Sequence, residues 1–140
     1  MCIRDRLYKA QPQASSEQVI SPQTAKDLRK LMQATTKIGS ARKSFGGLHK
    51  YKVYRDMKIG GKTGSLTGYS PRGRHDWFVG YAEKDGKRVA YASLIINKEK
   101  WYVRSAYVAR QFIYEYFSEL QAKAKAEQEA ELAAASNTLQ

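Results

Sequence analysis

The sequence predicts an α+β fold in which antiparallel strands are covered by helices. Three observations carry this expectation. Two β-rich runs, Trp77 to Ala82 and Arg88 to Ile96, flank the dipeptide Asp85-Gly86. Helix-period apolar patterns lie before and after the strand region. The coarse order is helix, strand, strand, strand, helix, with no internal repeat, which suits an antiparallel sheet.

The first helix is announced by Ser21-Pro22, a capping side chain followed by a residue whose fixed φ suits the first turn. Ala25, Leu28, Leu31 and Met32 follow at helical spacing and predict one buried face, ending at Gly39. Arg42 to Lys58 reads as a basic loop broken by Gly46-Gly47. Lys58 to Ser65 reads as a strand of very small residues. Its glycines imply that something must approach the backbone closely. Thr67 to Asp76, with Gly68, Pro71 and Gly73, reads as a loop. Asp85-Gly86 is a preferred two-residue hairpin turn, because both central residues need positive φ. Trp101, Ser105, Val108, Ala109, Phe112, Ile113, Tyr116, Phe117 and Leu120 predict a long helix with a broad buried stripe. From Gln121 the chain is Ala-, Lys- and Glu-rich, a solvated helix or frayed tail.

A chain of 140 residues with 42% hydrophobic and 27% charged residues has the composition of one globular domain, not of a disordered segment. The net charge of +12 favours polyanionic partners such as nucleic acid, an anionic membrane or acidic cell-wall polymer. The single Cys2 excludes an intrachain disulfide and a cysteine-based metal site. No run approaches the ~20 apolar residues of a membrane span. Met1 to Arg6 lacks the apolar core of a signal peptide and resembles a vector or assembly scar. The expected organisation is therefore scar and loose lead-in over 1–19, the folded part over 20–120, and a tail over 121–140.

Gly61-Lys62-Thr63 invites a phosphate-loop reading. Such a loop needs glycine at position 56, where Asp56 stands, and a helix directly after the threonine. Gly64 to Pro71 forbids that helix. The ordered set Lys62-Thr63-Gly64-Ser65, then Asp76-Trp77-Phe78-Val79-Gly80-Tyr81, resembles instead the third motif of penicillin-recognising serine enzymes. Gly39-Ser40-Ala41 is similar to the Gly-Thr-Ala segment that precedes that strand in penicillin-binding proteins. The helices on either side extend the resemblance from about Ile20 to Phe117.

The resemblance implies the C-terminal part of a penicillin-binding transpeptidase fold, an incomplete domain. Lys62 would supply positive potential and order proton transfer. Thr63, Gly64 and Ser65 would bind the substrate carboxylate, and the Ser65 backbone N–H would be one oxyanion donor. Expected partners are the D-Ala-D-Ala stem peptide of peptidoglycan, β-lactams and the remainder of the parent domain, with no nucleic acid. No metal or cofactor is implied. The expected location is the periplasm or the outer face of the bacterial inner membrane.

The serine nucleophile of a Ser-x-x-Lys motif is expected outside this chain, and the chain alone is expected to be inactive. Ser40-Ala41-Arg42-Lys43 matches that pattern but runs towards Phe45-Gly46-Gly47, not an evident helix. His75 beside Asp76 has no nucleophile near it and reads as a solvated loop residue. A serine β-lactamase or a D,D-carboxypeptidase shares the motif. A small basic nucleic-acid-binding protein, using the Arg42–Lys58 cluster, explains the charge but not the ordered motifs. DNA titration separates these: the transpeptidase reading predicts weak binding at physiological salt, whereas tight binding with a steep salt slope supports the nucleic-acid reading.

Overall fold

The computed structural model describes residues 18–98 and 100–138. Helix α1 (Pro22–Lys37) begins as the sequence indicates, with the Ser21 side chain accepting the Thr24 N–H at 3.0 Å. Its apolar face is only partly covered. Met32 is half-buried, but Leu28 and Leu31 are 46% and 68% exposed, contrary to the expected buried face. The reason is where the helix lands. It meets the sheet from Arg29 onward, through the Arg29–Glu83 ion pair at 3.6 Å, Gln33 Nε2 donating to Tyr81 Oη at 3.0 Å and Thr36 Oγ1 donating to Ile59 O at 3.0 Å.

The basic segment after α1 is not a plain loop. It contains the single-turn helix α2 (Arg42–Phe45) and 3-10 turns at Leu48–Lys50 and Lys52–Tyr54. Turns this short carry no hydrophobic period, so the sequence pattern does not register them. The second is fixed from a distance. Lys84 Nζ donates to the carbonyls of Lys52, Val53 and Arg55 at 3.2, 2.8 and 3.0 Å.

Three strands follow, β1 (Lys58–Tyr69), β2 (Arg72–Lys84) and β3 (Lys87–Asn97), in an antiparallel sheet of order β1-β2-β3. The expected Thr67–Asp76 loop is instead continuous ladder, paired from Ser65↔Asp76 to Tyr69↔Arg72. Only Ser70-Pro71 turns the chain. Gly68 and Gly73 are not breakers here: they face each other across the ladder, and a side chain at Gly68 would collide with the His75 ring. Asp85 and Gly86 form the other turn with φ of 50° and 74°, as their types require.

Side chains alternate across the sheet. Ile59, Gly61, Thr63 and Ser65 share a face with their partners Ala82, Gly80, Phe78 and Asp76. Helix α3 (Ser105–Thr138) lies on that face. Its buried row is Ala106, Ala109, Ile113 and Phe117, which joins Phe78, Ala82, Ile59 and Phe45 in one core. The stripe is narrower than the sequence suggests: Val108 and Phe112 are exposed, and Trp101 precedes the helix. From Ala122 to Ser136 the chain stays helical with an exposed surface. The expected scar lies outside the described residues. No described helix is long and apolar enough to cross a membrane.

Two tyrosines set the alkaline limit of this core. Burial pushes the Tyr54 phenol up to about 12 from its ordinary 10.0, and burial raises Tyr91 as well. The fold keeps both neutral, while the unfolded chain ionises them from about pH 10. Their contribution is therefore intact below pH 10 and falls as pH rises towards 12. Denaturant midpoints across this window should drop in the native protein and drop less in Tyr54→Phe; a pH-independent midpoint would contradict the assignment.

Candidate active site

The Lys-Thr-Gly segment lies on β1, as expected, and β1 is an edge of the sheet. One edge of β1 pairs with β2. The direction of the other peptide groups follows from two bonds outside the ladder. Ile59 O accepts from Thr36 Oγ1, and Thr63 O accepts from Lys62 Nζ at 2.8 Å. Both carbonyls therefore point away from β2. Peptide groups on a strand alternate in direction, so the outward row is Ile59, Gly61, Thr63 and Ser65. The Ser65 N–H faces outward with them.

Side chains complete the edge. Thr63 Oγ1 is 2.8 Å from Ser40 Oγ, and Ser40 stands at the turn between α1 and α2. Lys62 is exposed, and Gly64 sits opposite Trp77. A hollow of about 340 Å³ opens beside this edge, lined by Ser40, Lys43, Thr63, Ser65, Asp76 and Arg104 among others. Asp76 is only 4% exposed. Its Oδ2 accepts the Ser105 N–H at 2.8 Å, and its Oδ1 lies 4.0 Å from Arg104 Nη1. A carboxylate at a helix N-terminus is favoured by the helix dipole. The Arg104 guanidinium is held 3.9 Å over the Trp101 ring.

The structure thus brings Lys62, Thr63, Gly64 and Ser65 together on one edge and adds four residues that the sequence reading did not place there: Ser40, Asp76, Arg104 and Ser105. Of these Ser40 carried a signal through its likeness to the Gly-Thr-Ala segment, and Asp76 through the run Asp76 to Tyr81 that follows the motif; Arg104 and Ser105 carried none. The Ser40–Lys43 pattern was expected to run into no helix, but α2 begins at Arg42. That helix starts after Ser40, and the described hydrogen bonds join Ser40 to Thr63, not to Lys43. His75 is also corrected. It lies on β2, not in a loop, with Nε2 donating to Pro71 O at 3.0 Å. His75 and Asp76 are sequence neighbours, so their side chains project from opposite faces and form no dyad. No described cluster of three or more His, Cys, Asp or Glu could hold a metal.

The family model described as the penicillin binding protein transpeptidase domain matches residues 2–115. The chain belongs to that family. Comparison with curated proteins gave no match, and comparison with solved structures gave none.

The glycines of the edge serve two different needs. A Cβ at Gly61 would collide with the Phe78 ring and lie 2.8 Å from Val79 O. A Cβ at Gly64 would meet only Trp77 Cβ, at an ordinary 3.5 Å. Gly61→Ala should therefore destabilise the fold by about 1–3 kcal/mol through overpacking. Gly64→Ala should leave the melting temperature within a few degrees while impairing any ligand that lies along the edge. Parallel thermal melts and penicillin labelling of the full-length protein check this pair; equal melting losses in both would contradict it.

Proposed function

We propose that β1 is the substrate-binding wall of a peptidoglycan D,D-transpeptidase, with the serine nucleophile supplied by residues outside this chain. The observation that carries the proposal is the outward row of peptide groups at Thr63 and Ser65 on an open strand edge. An extended D-Ala-D-Ala peptide can pair with such an edge through main-chain hydrogen bonds. The substrate ends in a carboxylate, which accepts hydrogen bonds and donates none. The Thr63 and Ser65 hydroxyls beside Lys62 supply donors and positive potential for it.

In the reaction the serine oxygen bonds to the carbonyl carbon of the penultimate D-Ala, giving a tetrahedral intermediate whose oxyanion forms where the carbonyl oxygen was; the C–N bond then breaks and the terminal D-Ala leaves, protonated at nitrogen. A backbone N–H aimed outward at Ser65 can stabilise that charge without reorganising, paired with the amide of the nucleophile itself. Lys62 holds its charge at the same edge and orders the proton-transfer groups. Gly64 lets the peptide approach. β-Lactams would bind the same wall, since they present a carboxylate and a reactive carbonyl together. A serine β-lactamase or D,D-carboxypeptidase would use the same wall. Gly39-Ser40-Ala41 and the basic Arg42–Lys58 segment favour the transpeptidase. The site of action would be the periplasm or the outer face of the inner membrane, where peptidoglycan is cross-linked.

A backbone role and a side-chain role at Ser65 are separable. In the full-length protein, Ser65→Ala keeps the N–H and should retain fluorescent-penicillin labelling within about tenfold. Ser65→Pro removes the N–H from an outward edge position that tolerates proline. It should cut the labelling rate by roughly 10²–10³. Equal rates in the two variants would overturn the oxyanion assignment. The chain expressed alone should form no covalent penicillin adduct; an adduct lost in Ser40→Ala would place the nucleophile at Ser40 instead.

A further inference from the structure

We infer that Ser40 is a positioning residue for Thr63, setting the direction in which the Thr63 hydroxyl donates its hydrogen. The inference rests on the reading of Thr63 as a carboxylate-binding hydroxyl. Ser40 Oγ and Thr63 Oγ1 are 2.8 Å apart although 23 residues separate them in the chain. Each hydroxyl has one hydrogen to donate. A carboxylate held by Thr63 must receive Thr63's hydrogen, so the bond to Ser40 can persist only if Ser40 donates and Thr63 accepts. Ser40 thereby removes the competing orientation of Thr63 and polarises its O–H towards the anion.

The backbone is built to hold Ser40 in place. Gly39 is packed so closely on α1 that a Cβ there would lie 2.8 Å from Thr35 Cα. On the other side Ala41 is 1% exposed, and its N–H donates to Thr35 O at 3.1 Å. The Arg42 N–H then closes the turn onto Gly39 O at 3.1 Å. Ser40 is thus an exposed side chain between two anchored residues, delivered to β1 by the end of α1. Thr36, one turn before Gly39, ties the same stretch to β1 through Ile59 O. Nothing in the core needs the Ser40 hydroxyl, since the side chain is exposed.

The test compares acylation of the full-length protein by one penicillin as free acid and as methyl ester. The ester keeps the reactive carbonyl and loses the anion, so the acid-to-ester rate ratio reports carboxylate recognition alone. Ser40→Ala should lower that ratio about fivefold, the worth of one hydrogen bond. Ser40→Thr, which keeps the hydroxyl, should restore it. Thr63→Val should lower the ratio further, and adding Ser40→Ala to it should change nothing more, because the two act as a unit. Retained ester acylation shows that each variant folds. An unchanged ratio in Ser40→Ala beside a lowered ratio in Thr63→Val overturns this inference alone. So does an equal loss with acid and ester, which marks a structural role. An unchanged ratio in Thr63→Val overturns the carboxylate reading itself, and the role of Ser40 with it.

Discussion

The buried carboxylate of Asp76 is the constraint on which the site depends. It stands opposite Ser65 in the ladder, on the face that α3 covers. Burying a charge costs several kcal/mol unless it is hydrogen-bonded and paired. Here the Ser105 N–H and the N-terminal dipole of α3 meet part of that cost, and Arg104 adds a nearby cation. The helix must therefore begin where it does, with its axis directed over Phe78 and Ala82. One interaction joins β2, the ladder partner of the site strand, to the helix that covers the core and the cation at the hollow's rim.

From that anchor the remaining geometry follows. With α3 on one face of the sheet and the end of α1 against Gly60, β1 cannot be covered along its whole free edge. Gly60 and Gly61 allow the close packing of Met32, Tyr81 and Phe78 around the lower part of the strand. Above them the same strand emerges as an open edge with Thr63 and Ser65 facing outward. Such edges are normally protected because they invite pairing with another chain. If β1 holds a peptide as proposed, the exposed ladder groups are a requirement of the chemistry and not a flaw in the fold.

Local chemistry was legible where it was local. Ser21-Pro22 and Asp85-Gly86 marked a helix start and a turn because each residue type meets a backbone demand within two or three positions. Lys62 to Ser65 was readable as a strand because its motif excludes a helix. The reading failed where tertiary partners decide. Gly68, Pro71 and Gly73 looked like loop punctuation, yet the two glycines make room for His75 and for β3 within a continuous ladder. Leu28 and Leu31 have the right period but stay largely exposed. Asp76 caps a helix 29 residues away, and Ser40 meets Thr63 across 23 residues. No local pattern encodes such pairings.

We propose that the outward groups of β1 bind an acylating substrate. A crystal structure of the full-length protein acylated by a penicillin tests it most directly. The acyl carbonyl oxygen should lie about 2.7–3.1 Å from the Ser65 nitrogen, with the carboxylate bonded to Thr63 Oγ1 and Thr63 still in contact with Ser40. An acyl group whose oxygen and carboxylate both lie away from β1 would contradict it.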